Sequence, residues 1–309
     1  MDERRRLLEG ADDVKAAEAD LARRLTTILD PPSLEFRRID RSSPRAVLDK
    51  ITAYEAVHPI RDARDLARRL ADDRRCYALF HPTLPDEPLI FTELALTTAL
   101  AANADALLNP ESTSVEPDSA RCAVLYSISS CHPGLKGVPL GNALLGRVAT
   151  ELDRTCPHLD TMATLSPVPG FRRWLARTLQ TAFADLNRSG WLDDARSCAS
   201  LVHSLVPLCA HYLLHVKRSG DPEDAVARFH LRNGARLERI NWLSHTSVEG
   251  MRLSAGLMVN YLYKRRSPSH YDAWSNAGPN ASHDVAHLAL SGAMMAGSLT
   301  AATPAGGLI

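Results

Sequence analysis

The chain has 309 residues, 45% hydrophobic and 23% charged, an ordinary globular balance with room for one large domain or two smaller ones. Thirty-six basic residues offset thirty-six acidic ones, so no overall charge favours nucleic acid or an anionic membrane, and an anionic ligand must be held locally. Met1-Asp2-Glu3-Arg4-Arg5-Arg6 leads into no apolar signal core, no stretch reads as membrane-spanning, and Gly306-Gly307-Leu308-Ile309 matches no sorting address, which together predict a soluble cytoplasmic protein.

Residues 8 to 29 read as an amphipathic helix, with Leu21, Leu25, Ile28 and Leu29 at helical spacing, ended by Asp30-Pro31-Pro32. Leu34 to Ile39 reads as a strand, and Ser43-Pro44 opens a helix through Leu48, Ile51 and Tyr54. After a break at His58-Pro59-Ile60, a further helix covers Asp65 to Leu70. Cys76 to Phe80 and Leu89 to Leu96 read as paired strands around the turn region Pro82 to Pro88. Alternation puts Glu93 on the face of Phe91 without saying which face is inside. The Asn-, Ser- and Pro-rich residues 107 to 120 read as a loop. Cys122 to Ser129 is an apolar strand, followed by a glycine-rich stretch to Asn142 and a helix striped by Leu144, Leu145, Val148 and Leu152. Strand, glycine-rich turn and helix can aim backbone N–H groups at a phosphate, although an ordinary connection has the same string. Residues 170 to 216 read as largely helical, Gly256 to Tyr263 as the last core strand, and the tail after Ala296 as loosely structured.

Two short segments hold most of the chemistry. Ser166 follows a short apolar run and precedes Pro167, Pro169 and Gly170, where a strand gives way to a helix. His230 stands just before the turn signal Asn233-Gly234, with the strand-like Leu237 to Trp242 after it. A hydroxyl and an imidazole at element ends suit a Ser/His pair in a cleft. They also suit a helix cap and a structural histidine, and no G-x-S-x-G elbow surrounds Ser166. The six cysteines (Cys76, Cys122, Cys131, Cys156, Cys198 and Cys209) form no C-x-x-C pair and read as free, mostly buried thiols. His211/His215 and His283/His287 have the helical spacing of zinc ligands. Neither has the glutamate of a His-Glu-x-x-His motif or an evident third ligand, so both read as helix-face coincidences.

Ala56-Val57-His58-Pro59-Ile60, Glu87-Pro88-Leu89-Ile90, Tyr126-Ser127-Ile128-Ser129 with its glycine loop, Leu165 to Phe171, His230 to Trp242 and Gly256 to Tyr263 follow one another in the order found in malonyl-CoA decarboxylases. In this respect the chain resembles the catalytic domain of that family from about residue 33 to 275. The resemblance implies an α+β fold of the GNAT type, a mixed, mainly antiparallel sheet flanked by helices. It implies a catalytic pair, Ser166 and His230, with Ser127 and Tyr263 near the acyl group. Leu135, Lys136, Gly137, Gly141 and Asn142 then fall where such a fold holds the CoA pyrophosphate. Where some members have glutamate in this loop, the chain has Pro139, so no charged role is assigned there. Residues 1–32 are expected as a short helical remnant of the family's N-terminal helical domain, and residues 33–309 as the catalytic domain.

The implied reaction is decarboxylation of malonyl-CoA to acetyl-CoA and CO2 without metal or organic cofactor, because the thioester is itself the electron sink. Ser166 is expected to fix the malonyl group. His230 is expected to stabilise the enolate or protonate C2, a task suited to a pKa near its ordinary value of about 6.5. Arg74-Arg75 is a further candidate contact for an anion, with plain surface charge as the alternative. Malonyl-CoA is the expected partner, with no nucleic acid and no membrane, and homo-oligomerisation is left open. The setting implied is cytoplasmic fatty acid metabolism. The alternatives are an acyl-CoA-dependent acyltransferase, a decarboxylase-transferase acting on a carrier-bound or methylmalonyl substrate, and a silent acyl-CoA-binding subunit.

Overall fold

Val47, Leu48, Ile51 and Tyr54 recur on one helical face, and in the computed structural model that face turns inward on helix α1 (Arg45–Tyr54). The structure describes residues 17–301 except 18, 19, 22, 136, 181–183, 185, 188, 189 and 264–279. Two compact units emerge: residues 1–95, 116–118 and 127–158 form the first, and 96–115, 119–126 and 159–309 the second. Residues 23–28 are helical as expected, whereas residues 8–16 of that expected helix lie outside the described residues.

In the first unit, β1 (Glu35–Ile39), β2 (Arg74–Phe80) and the first eight residues of β3 (Pro88–Thr97) pair antiparallel, with Glu35 opposite Phe80 and Arg74 opposite Ala95. Helix α2 (Ala63–Arg69) begins where the Asp62 side chain accepts from the N–H groups of Arg64 and Asp65, and that capping satisfies two otherwise orphaned donors. Ile39, Val47, Ile51, Cys76, Phe80 and Phe91 make up much of the apolar core. Both faces of β3 are covered, so the alternation along it could not say which side was inside.

Glu93 is fully buried and accepts from Arg69 at 2.7 Å, and Arg69 also donates to Asp65 at 3.1 Å and to the His58 carbonyl at 2.8 Å. Beside this cluster, Arg68 grips Asp73 at 2.6 and 2.9 Å while Arg74 donates to the same carboxylate at 2.8 Å. Arg74 is therefore a buried structural cation. Neither reading expected for Arg74-Arg75, an anion contact or plain surface charge, holds at Arg74 for that reason.

The second unit holds a mixed sheet. The first residues of β4 (Cys122–Ser130) run parallel to β5 (Thr161–Thr164). β10 (Met258–Tyr263) pairs antiparallel with β5, with the two-residue β6 (Ser166–Pro167) and with β9 (Arg236–Asn241). Antiparallel ladders, a parallel pair and flanking helices give the α+β class expected. The stretch expected as a loop contains a short helix, α3 (Ala104–Leu108), started by the Asn103 side chain accepting from the Ala106 N–H. The remaining helix of the first unit is α4 (Leu140–Thr155); those of the second are α5 (Phe171–Thr178), α6 (Ala195–His215), α7 (Ala225–Arg232), α8 (Val248–Ser254) and α9 (His283–Ala301). A two-residue hairpin, β7 (Lys217–Arg218) with β8 (Asp221–Pro222), links α6 to α7.

Two expectations are corrected here. α6 is long and apolar enough by length and composition to cross a membrane. It buries Leu201, Leu205, Leu208, Cys209, Tyr212 and Leu213 within the protein and packs along α9, as a core helix does. α9 also carries helix past Ala296 as far as Ala301, where a loose tail was expected.

The Arg69 cluster generates a stability prediction. Arg69→Ala leaves Glu93 buried without its cation and Asp65 with Arg61 alone, and should cost about 3 kcal/mol. Glu93→Gln keeps an acceptor for Arg69 and should cost distinctly less; denaturant unfolding of the two variants checks the ranking.

Candidate active site

Pro167 and Pro169 carry no N–H, so the strand containing Ser166 cannot extend and the chain turns into α5. What remains is β6, where Ser166 lies opposite Val259 of β10. The Ser166 hydroxyl donates to Thr164 Oγ1 at 2.9 Å and lies 3.3 Å from His230 Nε2. His230 occupies the last turn of α7. The helix stops there because Asn233 caps it and Gly234, at φ +76°, takes the left-handed conformation that suits glycine. The Ala235 N–H then returns to the His230 carbonyl at 3.0 Å, which holds the backbone of the histidine at the helix end.

Around the imidazole the walls are aromatic. Tyr261 stacks on it with centroids 4.7 Å apart and Phe229 meets it edge-on at 5.0 Å. The Tyr263 hydroxyl is 2.7 Å from Nδ1. Ser166 and His230 are 7% and 3% exposed. Burial pulls the His230 pKa down to about 3 and pushes the Tyr263 phenol up. This overturns the expectation of a histidine titrating near its ordinary value: the resting imidazole is neutral because burial disfavours its charged form.

Asp224, which the sequence reading did not single out, joins the two halves of this cluster. Its Oδ1 accepts from the Val226 and Ala227 N–H groups at the start of α7, each at 3.0 Å, and its Oδ2 accepts from the Gly170 N–H at 3.1 Å. One buried carboxylate thus ties the helix of His230 to the turn four residues after Ser166. Burial raises its pKa against the pull of those three N–H donors. Gly170 also lets Tyr212 close in, because a β-carbon there would lie 2.0 Å from the Tyr212 hydroxyl and 3.2 Å from Asp224 Oδ2. An Asp preceding an apolar helix is a legible cap signal; its second bond, 54 residues away, is not.

Ser127 lies in the first unit, where its hydroxyl bonds Glu55 at 2.8 and 2.7 Å and stands 3.2 Å from Ser129 Oγ. Glu55 also accepts from the Val57 and His58 N–H groups, and it too escaped the sequence reading, as an ordinary residue ending α1. In the glycine loop β4 ends at Ser130, a 3₁₀ turn covers Pro133–Leu135, Gly137 is left-handed at φ +92° and α4 starts at Leu140. Leu135 is half-buried, Gly141 buried and Asn142 exposed, and no side chain caps the start of α4. Lys136 lies outside the described residues. All six cysteines are free, five of them buried. Among the described residues no group of three or more His, Cys, Asp or Glu side chains could hold a metal ion, so His211/His215 and His283/His287 gain no further ligand there.

Two predictions follow from this geometry. Removing Asp224 as Ala should cost about 2–4 kcal/mol, combining a lost cap of up to about 2 with an orphaned buried N–H of about 1–3; thermal unfolding checks it, and Asp224→Asn should recover part. His230 binds a proton in the unfolded chain near pH 6.5 but only near pH 3 in the fold. Its contribution to stability should therefore fall by about 1.4 kcal/mol per unit as pH drops between those values. His230→Gln should flatten that limb in unfolding curves, and the histidine ¹⁵N signals should report a neutral ring at pH 5.

The family model for the malonyl-CoA decarboxylase C-terminal domain matches residues 33–295. Malonyl-CoA decarboxylase, mitochondrial, from Anser anser anser is 37% identical over 74% of this chain and 52% of its own length; the Rattus norvegicus protein of the same name is 36% identical, over 74% and 53%. The chain thus spans about half the length of the curated relatives it matches. Crystal structures named as malonyl-CoA decarboxylase align from Rhodopseudomonas palustris (40% identity, TM-score 0.80, 90% of this chain and 72% of that one) and Agrobacterium vitis (38%, 0.82, 92% and 74%). The chain belongs to the malonyl-CoA decarboxylase C-terminal domain family.

Proposed function

We propose that the chain decarboxylates malonyl-CoA to acetyl-CoA and CO2, with Ser166 and His230 carrying the chemistry. The observation that supports this most directly is the 3.3 Å approach of Ser166 Oγ to His230 Nε2, inside aromatic walls, in a member of a decarboxylase family. In the reaction the bond from C2 to the carboxylate carbon breaks, CO2 leaves, and the electron pair passes into the thioester carbonyl as an enolate. A proton then adds to C2. What falls to the protein is to hold the carboxylate out of the carbonyl plane and to place donors where negative charge develops. At rest the Ser166 hydrogen is held by Thr164; with substrate bound it turns to the malonyl carboxylate and fixes the rotation of that group. His230, neutral at rest, donates its N–H to the enolate oxygen, or passes that proton to C2 and regains one from water.

Tyr263 and Ser127 are read as acyl-group contacts. Leu135, Lys136, Gly137, Gly141 and Asn142 are read as the CoA loop, because the uncapped start of α4 offers N–H donors and the positive end of a helix dipole to a phosphate. Residues 33–309 form the catalytic domain on this reading, with 1–32 as a helical segment ahead of it. Malonyl-CoA supplies carbon to fatty acid synthesis, so the reading extends to a cytoplasmic enzyme of fatty acid metabolism, with homo-oligomerisation open to test.

Purified protein with malonyl-CoA and no acceptor should yield acetyl-CoA by mass spectrometry. Ser166→Ala and His230→Ala should each lower turnover by about a hundredfold or more, with CoA affinity close to wild type. Near-wild-type turnover in either variant removes that residue from the mechanism, and product only when an acceptor is added would move the assignment to acyl transfer.

A further inference from the structure

Counting hydrogens along the chain Thr164–Ser166–His230–Tyr263 gives it a direction. Ser166 has one hydroxyl hydrogen, and the geometry commits it to Thr164 Oγ1 at 2.9 Å. The same Thr164 oxygen accepts the backbone N–H of Tyr261 at 3.2 Å, and Thr164 is 1% exposed, so the acceptor is fixed from two sides. The Ser166 oxygen therefore meets His230 Nε2, 3.3 Å away, with lone pairs only. A hydrogen bond there requires the proton on Nε2. A neutral imidazole has one N–H, so Nδ1 is bare and accepts from the Tyr263 hydroxyl at 2.7 Å. A phenol whose pKa burial has raised keeps the proton it needs for this.

We propose that Thr164 is a positioning residue that sets the direction of this hydrogen-bond chain, so that His230 presents Nε2–H, and not a bare nitrogen, towards Ser166. The reverse direction would have Ser166 donating to Nε2, the arrangement of a serine nucleophile with a general base. Thr164 holds the serine hydrogen away from it. On the decarboxylase reading, on which the kinetic part of this proposal rests, the outcome is an N–H donor beside Ser166 ready for the enolate, in place of a base aimed at a hydroxyl. With Thr164 replaced by a residue of similar shape lacking the acceptor, the Ser166 hydrogen turns to Nε2, 3.3 Å from its oxygen, and the imidazole proton moves to Nδ1.

Histidine-labelled protein examined by long-range ¹H–¹⁵N spectroscopy tests the direction without relying on turnover. Wild type and Thr164→Ser should both hold His230 as the Nε2-protonated tautomer, whereas Thr164→Val should shift it to the Nδ1-protonated form. With malonyl-CoA, Thr164→Val should lose about ten- to a hundredfold in kcat with KM little changed, and Thr164→Ser should restore most of it. A bare Nε2 in the wild type overturns the proposal whatever the activity, and an unchanged tautomer in Thr164→Val assigns the direction to Tyr263 instead. The expected tautomers in a protein that forms no acetyl-CoA would uphold the role of Thr164 and set aside the decarboxylase reading.

Discussion

Burial of a neutral imidazole is the constraint around which the second unit is built. A histidine at 3% exposure between Tyr261, Phe229 and Tyr263 cannot hold a charge cheaply, so both ring nitrogens need neutral partners at fixed positions. Tyr263 at the end of β10 and Ser166 on β6 supply them, and β10 pairs with β6 directly. The start of α7 is fixed by Asp224 and its end by the left-handed Gly234, which leaves His230 little freedom along the helix axis. A site of this kind works through donors already in place, an arrangement suited to a reaction in which charge moves within the substrate.

The order of elements was largely legible because it rests on local rules. The apolar stripe of α1, the paired strands β2 and β3, and the prolines that end β6 each follow from neighbours within a few residues. The placement of Ser166 and His230 at element ends was legible for the same reason. Their partners were not. Thr164, Asp224 and Glu55 stand in no motif of their own; each matters through a bond to a residue that the sequence alone does not bring near. The depressed pKa of His230 was hidden too, since it arises from how completely β10 and α7 enclose the ring and not from any charged neighbour.

The first unit carries its polar groups differently. Glu55 holds Ser127 and two backbone N–H groups, while Arg69 joins Asp65 to Glu93. Burial pushes Glu93 up to about 8 against the pull of Arg69. Such buried polar groups hold their positions only when each finds a partner, which fits the dense bonding between α2 and the strands beside it. The misreading of Arg74 belongs here: a pair of arginines in sequence looks like surface charge until Asp73 is seen to hold one of them inside.

On the decarboxylase reading a histidine uncharged at working pH supports loss of CO2, and the pH dependence of kcat for malonyl-CoA decarboxylation is the measurement that decides it. A His230 with pKa near 3 predicts kcat unchanged from about pH 8 down to pH 5.5, with no inflection at the ordinary histidine value of about 6.5. A tenfold change in kcat centred near pH 6.5, absent from a His230 variant with residual activity, would contradict the account by requiring an imidazolium in the reacting complex.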